Sequence, residues 1–508
     1  MSPDFNASWV AALVPEIMLV IVLFALQVYD RIAKPQPRSR LGLFTAWGGF
    51  ITLLVTLGFW MFGNEPNAQT GLVESLIWGR MIRHDLIALV FRVMFLVALI
   101  ITSLISMDVP RLQKVEYYAL LLTATMGFSL MSAAADLIMV YVALEMASIS
   151  SYVLAGMLKT SDRSAEAGMK YFVYGAFATG VMLYGMSLIY GITGHTNLYI
   201  IGSFFQAGVV ASPFGEAAAL PQGAVLLLAT VMIIVGFGFK VSAVPFHFWT
   251  PDVYEGAPTP FTAFVSTASK AAGFAVFIRV VTAGVFGAPD AGSAWWAMLV
   301  AMCIITMTLG NFAAIFQNNI KRMLAYSSIA QAGYALIGLV TMTPDGSGAT
   351  MFYLLMYIFT NVAAFGVIIL ISNVSSSDQM EDFYGLNRRS PYLALVMLFA
   401  LLSLGGIPPT AGFIGKFFIF RAAIEAGYWW LAFIGILNAF VALYYYLNVV
   451  KYMYLYRSEN ESVEIPVSRA AKVGLAVSVL FIILLGVYAS PAFEWTREAA
   501  TAFYALVG

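Results

Sequence analysis

The chain has 508 residues, of which 61% are hydrophobic and only 10% are charged, with 26 basic and 26 acidic side chains. This composition is too apolar for a soluble protein, and a net charge of zero gives no indication of nucleic-acid binding. The single cysteine, Cys303, excludes an internal disulfide and a cysteine cluster for zinc or iron–sulfur.

Long apolar segments recur along the whole chain, and a bilayer core requires about 20 apolar residues per helix. A lipid-exposed backbone must satisfy its own hydrogen bonds, which favours helices. We therefore predict an all-α, polytopic membrane protein with about fourteen transmembrane helices in contact with a lipid bilayer. The predicted spans are roughly 9–28, 42–62, 86–107, 117–133, 136–158, 168–190, 223–245, 259–284, 294–316, 323–342, 349–372, 392–424, 428–456 and 473–490.

Basic residues are distributed very unevenly between the two sides of these spans. The loops after spans 1, 3, 5, 9, 11 and 13 contain fifteen Lys and Arg residues, whereas the opposite side contains only Arg80, Arg83, Arg421 and Arg497. Basic loops remain in the cytoplasm. We therefore expect both termini on the non-cytoplasmic side of a bacterial plasma membrane.

Two spans contain helix breakers. The seventh contains Gly236, Gly238 and Pro245, and the twelfth contains the segment SLGGIPPTAGFIGKF at 403–417. Unwound backbone is tolerated at membrane depth only where it is buried in protein or lines a wet cavity, and paired interruptions indicate inverted repeats. We predict a three-helix segment over 1–114, two inverted five-helix repeats over 115–284 and 285–457, and a C-terminal span and tail over 458–508.

Several charges fall inside the spans, among them Glu145, Lys240, Lys270 and Lys416. Charges at membrane depth cost at least a few kcal/mol each, so they usually face an interior and serve a pathway. His247, two residues after Pro245, is a possible relay because imidazole exchanges protons near neutral pH. No histidine pair at helical spacing in the spans suggests haem.

Four motifs in order resemble the antiporter-like membrane subunits of respiratory complex I. They are VALEMASISSYVLAG (142–156), TPDVYEGAPTPFTAFVSTASKAAG (250–273), NNIKRMLAYSSIAQAGY (318–334) and GGIPPTAGFIGKF (405–417). Lys416 lies where the paralogue called subunit M typically has glutamate, and the chain ends too soon after Pro491 for the long lateral helix of subunit L. The resemblance covers about residues 115–450.

The resemblance implies a role for each buried charge in proton translocation. Glu145 would pair with Lys240, Lys270 would lie on a central hydrophilic axis, and Lys416 would lead to the exit. It also implies that NADH, flavin, iron–sulfur clusters and quinone are handled by other subunits, with no cofactor or metal bound by this chain. Expected partners are the neighbouring subunit M and small subunits such as K and J.

A buried lysine can carry a proton only if its ammonium group can lose that proton. Desolvation favours the neutral amine, whereas a nearby carboxylate favours the ammonium form. We expect Lys240 to hold its proton while Glu145 is close and to release it more readily when Glu145 moves away. Separating such a contact forfeits roughly 4 kcal/mol at an effective dielectric constant of about 20.

Each candidate residue also has a structural alternative. Lys240 could neutralise backbone carbonyls at the break in span 7, and Glu145 could be a structural partner of any buried lysine. Lys416 could extend its ammonium group to the outer interface. His247 could simply bind loop carbonyls.

Three functions remain open. The leading interpretation is a proton-translocating subunit of a redox-driven NADH-quinone oxidoreductase, and therefore part of a translocase without a redox centre of its own. A multisubunit cation/proton antiporter is the second, although one deep carboxylate with several lysines fits protons better than metal cations. A non-pumping scaffold is the third, and it predicts that neutralising Lys240 leaves proton pumping unchanged.

Overall fold

The computed structural model describes residues 10–62, 75–206, 222–286, 293–458 and 463–507. Residue 9, where the first predicted span begins, and both chain ends lie outside these ranges. Within them, eleven helices are long and apolar enough to cross a membrane. The prediction of an all-α, polytopic membrane protein is confirmed, while the number of fourteen spans and the inverted repeats stay predictions.

The N-terminal part contains three long helices and one short hairpin. Asp85 ends the hairpin and caps the third helix, since its carboxylate accepts a hydrogen bond from the Ala88 backbone N–H at 2.9 Å. The sequence did not predict the hairpin. The elements are α1 (Val14–Ala33), α2 (Arg40–Phe62), the antiparallel strands β1 (Ser75–Ile77) and β2 (Ile82–His84), and α3 (Leu86–Ser106).

The next part of the chain contains five long helices and two short ones. Asp136 caps α5 through the Ile138 backbone N–H at 2.9 Å. The elements are α4 (Val115–Ala133), α5 (Leu137–Ala155), α6 (Asp162–Thr193), α7 (Leu198–Gln206), α8 (Gln222–Val241), α9 (Trp249–Gly256) and α10 (Thr259–Thr282).

The C-terminal part begins with α11. Its elements are α11 (Ala294–Ile315), α12 (Ile320–Val340), α13 (Pro344–Ser375), α14 (Leu386–Arg389), α15 (Pro391–Gly405), α16 (Ala411–Glu425), α17 (Trp429–Leu455), α18 (Arg469–Val487) and α19 (Ser490–Val507). Single 3₁₀ turns lie at Pro110–Leu112 and Met380–Phe383. Each of the fourteen predicted spans overlaps a helix, whereas α7, α9 and α14 lie outside the predicted spans and α19 overlaps the last span only at Ser490.

Both predicted helix breaks are present. The seventh span ends as a helix at Val241, before Pro245, and the chain becomes helical again at Trp249. The twelfth span is divided into α15 and α16, and the break between them contains Pro408 and Pro409. The glycines at 236 and 238 remain helical, so proline rather than glycine marks the end of α8.

The centre of the molecule is formed by α10, α12 and α13. The most apolar 18 residues of α10 and of α13 are all buried, and α13 packs against α12, α15, α16, α18 and α19. A π-helical turn at Val265–Ser269 interrupts α10 immediately before Lys270. Turns of this kind are rare and are found frequently at functional sites. The buried central helices therefore place polar side chains, among them Lys270, in the interior of the molecule.

Candidate functional site

Lys240 lies in the last turn of α8 and is 1% exposed. Its Nζ donates a hydrogen bond to Ser148 Oγ on α5 at 3.1 Å, and it lies 5.5 Å from the centre of the Phe128 ring. Ser148 follows Glu145 by three residues, so both side chains are on the same face of α5. The structure brings the two predicted residues to neighbouring positions, with a hydroxyl as the group that the ammonium contacts.

Glu145 is half-buried, and its Oε1 has no hydrogen-bond partner within the described ranges. The ion pairs of the described residues, with N···O up to 4.0 Å, do not include Glu145 with Lys240. Pairing of the two therefore stays a prediction. Contact would require the carboxylate or the ammonium to move along the face that Ser148 occupies.

Other groups than Lys240 bind the backbone at the break after α8. Trp249 Nε1 donates to the Phe239 carbonyl at 3.1 Å, and the Val244 N–H donates to Thr306 Oγ1 at 2.9 Å. The alternative that Lys240 serves to neutralise freed carbonyls thus has no support in these contacts.

Several buried polar atoms around the same break have no partner in the described part of the chain. They are Ser242 Oγ, His247 Nδ1, Thr250 Oγ1 and Ser269 Oγ. Buried polar groups are almost always paired with protein or ordered water. His247 is 5% exposed, and its ring lies 4.5 Å from the Phe248 ring. These atoms mark a region beside Lys240 that suits bound water, while the relay role of His247 stays a prediction.

Lys270 is 2% exposed and follows the π turn of α10. Its Nζ donates to the Ser328 carbonyl at 2.5 Å and to Ser328 Oγ at 2.6 Å. Tyr357 on α13 donates to the same hydroxyl at 2.9 Å. No carboxylate forms an ion pair with Lys270 among the residues described, so its charge is stabilised by dipoles alone.

The stem of Lys240 packs against α10 one turn beyond Lys270. A Cβ atom added at Gly273, one turn beyond Lys270, would lie 3.1 Å from Lys240 Cγ. The glycine thus leaves room for the lysine stem. The motif STASKAAG therefore carries Lys270 itself and, one turn later, the glycine that makes room for the Lys240 side chain.

Lys416 is 4% exposed and lies in the second turn of α16. Its Nζ donates to the Leu404 carbonyl at 2.8 Å and to the Gly405 carbonyl at 3.2 Å, at the break after α15. The ammonium also lies 4.8 Å from the centre of the Tyr334 ring. The alternative in which Lys416 reaches the outer interface is wrong, because its charge is directed inward to the freed carbonyls.

Hydroxyl and amide groups join the surroundings of Lys270 to those of Lys416, which the sequence reasoning missed. Ser327, Ser328 and Gln331 lie on one face of α12. Ser327 Oγ and Tyr446 Oη of α17 are 2.5 Å apart, and Gln331 Nε2 donates to Tyr446 Oη at 3.0 Å. The available signal was the polar stretch AYSSIAQAGY within an otherwise apolar span.

Buried arginines lie in a different setting. Arg279 donates to both oxygens of Asp85, at 2.9 and 2.6 Å, and Arg92 donates to Glu16 Oε1 at 2.8 Å. Burial, together with the Arg92 charge, lowers the pKa of His84 to about 4. His84 is therefore neutral near pH 7. None of these groups is needed to explain the lysine sites.

A network of ion pairs ties the segment before α10 to its neighbours. Asp252 contacts Lys170 at 2.6 Å and Arg322 at 2.8 Å, and Glu255 contacts Arg322 at 3.1 Å. No group of three or more His, Cys, Asp or Glu side chains that could hold a metal ion occurs within the described ranges.

Broken helices, buried lysines and a buried polar chain together define an antiporter-like membrane subunit. Residues 134–442 match the family described as "NADH:quinone oxidoreductase/Mrp antiporter, TM". The chain belongs to this family.

Relatives match over most of both chains. NADH-quinone oxidoreductase subunit N of Moorella thermoacetica is 45% identical over 82% of this chain and 84% of its own. Subunit N of Trichlorobacter lovleyi is 40% identical over 96% of each chain. A chain of respiratory complex I from Thermus thermophilus has 30% identity and a TM-score of 0.74, covering 94% of this chain and 98% of its own.

Proposed function

We propose that this chain is a subunit N-type membrane component of a proton-translocating NADH-quinone oxidoreductase, in which protons move along Glu145, Lys240, Lys270 and Lys416. The relatives with the stated identities carry that name. The observation that carries the residue assignment is the set of three buried lysines, each at most 4% exposed, that bind hydroxyls and carbonyls instead of carboxylates.

This arrangement suits proton transfer because neither charge state is strongly fixed. An ammonium buried without a carboxylate loses much of its hydration energy, while hydroxyl and carbonyl dipoles return part of it. A neutral amine can still form hydrogen bonds at the same place. A modest change nearby, such as approach of Glu145 to Lys240, is then enough to shift the proton equilibrium.

The route that we propose follows the contacts in order. It starts at Glu145 and Lys240, crosses α10 beside Gly273 to Lys270, and continues through hydroxyls of α12 and α17 to Lys416. Water at the unpartnered atoms around His247 would connect the first steps. Hydroxyl groups and water molecules both donate and accept hydrogen bonds, so a chain of them can pass a proton from one lysine to the next.

The redox chemistry belongs, in this proposal, to other subunits. NADH, flavin, iron–sulfur clusters and quinone would be bound there, and the contacting subunits would be M and smaller ones such as K and J. The uneven distribution of Lys and Arg between alternate loops supports a bacterial plasma membrane location with both termini on the non-cytoplasmic side.

The substitution Lys270→Met tests the proposal in the assembled complex. Methionine keeps the approximate volume and removes the titratable group. We expect NADH-driven proton pumping in membrane vesicles to fall about tenfold or more, as a barrier raised by roughly 1.4 kcal/mol slows a step tenfold. The amount of assembled complex should change little, and Glu145→Gln should behave similarly.

Lys451→Met is the matched control. Lys451 is exposed on α17, with its ammonium 5.4 Å from the centre of the Tyr456 ring. The control should pump normally. Normal pumping in both Lys270→Met and Glu145→Gln would reject the residue assignment and favour a scaffold.

A further inference from the structure

The amide of Gln331 uses all of its hydrogen-bonding groups. Gln331 is 3% exposed, and its Nε2 donates to the Leu404 carbonyl at 3.2 Å and to Tyr446 Oη at 3.0 Å. Its Oε1 accepts from the Tyr353 hydroxyl. A carbonyl can only accept, so the nitrogen of the amide must face Leu404. Both N–H groups and the oxygen are therefore oriented by their partners.

Gln331 shares one of these partners with Lys416. The Leu404 carbonyl accepts from Lys416 Nζ at 2.8 Å as well as from Gln331, and a carbonyl oxygen has two lone pairs for this purpose. Because Leu404 lies at the end of α15, few helical N–H groups are left to hold its carbonyl. Gln331 therefore fixes an acceptor of Lys416 that the break would otherwise leave free.

Gln331 also holds one member of the hydroxyl chain that leads toward Lys270. Tyr446 Oη accepts from the amide and lies 2.5 Å from Ser327 Oγ, in a contact where either hydroxyl can donate. Ser327 precedes Ser328, whose hydroxyl and carbonyl bind Lys270. Gln331 thus holds the tyrosine hydroxyl in contact with Ser327, next to the serine that binds Lys270.

We propose that Gln331 is a positioning residue for proton transfer between Lys270 and Lys416. It holds the Leu404 carbonyl in place for the Lys416 ammonium and holds the Tyr446 hydroxyl beside Ser327. An amide neither gains nor loses a proton readily near neutral pH, so protons pass around Gln331 and not through it. This inference rests on the proposed function, since it assigns a role within the same route.

Gln331→Met tests the role in the assembled complex, reconstituted in vesicles with NADH and quinone. Methionine fills a similar volume and cannot donate to Leu404 or Tyr446. We expect proton pumping per assembled complex to fall about three- to tenfold, the range expected for a lost buried hydrogen bond. Gln113→Met is the control: Gln113 Nε2 donates to the Met107 carbonyl at 2.7 Å, away from the lysines, and its loss should leave pumping unchanged.

Gln331→Glu should change the pH dependence of pumping, which would not change if Gln331 only filled space. The protonated carboxylic acid can donate one of the two hydrogen bonds that the amide donates, whereas the ionised carboxylate only accepts. Pumping by this variant should therefore decline with rising pH relative to the wild type. Gln331→Met and the wild type should have pH profiles of the same shape.

The outcomes separate this inference from the proposed function. If Lys270→Met and Lys416→Met abolish pumping while Gln331→Met and Gln331→Glu both match the wild type at every pH, the positioning role is rejected and the proton route stands. Normal pumping in the two lysine variants would reject the route itself. If Gln331→Met assembles poorly, the pH profile of pumping by Gln331→Glu, measured per assembled complex, decides. A profile like that of the wild type then overturns the inference.

Discussion

The charges of the buried arginines and of the buried lysines are stabilised by different kinds of partner. Arg279 is fully buried with two hydrogen bonds to Asp85, and Arg92 is paired with Glu16. Lys270 and Lys416 are as deeply buried, yet their ammonium groups bind only hydroxyl and carbonyl oxygens. The difference lies in the partner rather than in the depth of burial.

This contrast follows from the chemistry of the two cations. A guanidinium group does not lose its proton in proteins, so burying it requires a permanent counter-charge. A lysine can become neutral and does not need one. The arginine pairs therefore hold helices together, whereas Lys270 and Lys416 have no ion-pair partner among the described residues, as the proposed proton transfer requires.

Arg92→Leu should have the largest effect on stability. It leaves the Glu16 carboxylate, 5% exposed, without the Arg92 counter-charge that it has in the structure. Removing one member of a buried ion pair costs about 3–5 kcal/mol. We expect a strong loss of assembled complex, measured by native gel electrophoresis of solubilised membranes.

The double variant Arg92→Leu/Glu16→Gln is the control, because it removes both charges and should restore a large part of the assembly. Pumping per assembled complex should stay near the wild-type value. If Arg92→Leu assembled fully but failed to pump, the division between structural arginines and functional lysines would be wrong.

Ser148→Ala should have a smaller effect, and on function rather than on assembly. It removes the hydroxyl that accepts the 3.1 Å hydrogen bond from Lys240. A buried hydrogen bond of this kind contributes about 1 kcal/mol, or roughly fivefold in a rate. We expect proton pumping to fall severalfold with normal assembly.

Ser150→Ala is a suitable comparison, since Ser150 Oγ donates to the Met146 carbonyl within the same helix. It should pump normally. Equal pumping by the two serine variants would show that the Ser148 contact does not govern Lys240.

The breaks and the buried charges could be predicted from the sequence because both are local signals. Pro245 and the pair Pro408–Pro409 cannot continue a helix, and the structure ends α8 and α15 just before them. A lysine within an apolar run can likewise be recognised from the residues around it in the sequence. The lysines were therefore found without any knowledge of the packing.

Partners and directions could not be predicted, because they depend on which helices meet. Ser148, Ser328 and Leu404 are ordinary residues until the fold places them beside an ammonium group. The π turn before Lys270 leaves no clear mark in the sequence. Gln331 was hidden for the same reason, since its role depends on α15 and α17 lying next to α12.

The proposed route requires that a buried lysine releases and regains a proton during turnover. Time-resolved infrared difference spectroscopy of the assembled complex, with and without ¹⁵N-labelled lysine, tests it most directly. A change in an ammonium band that shifts with the label and disappears in Lys270→Met is the predicted result. A difference spectrum without any label-sensitive lysine band, recorded while the complex oxidises NADH and pumps protons, would contradict the claim.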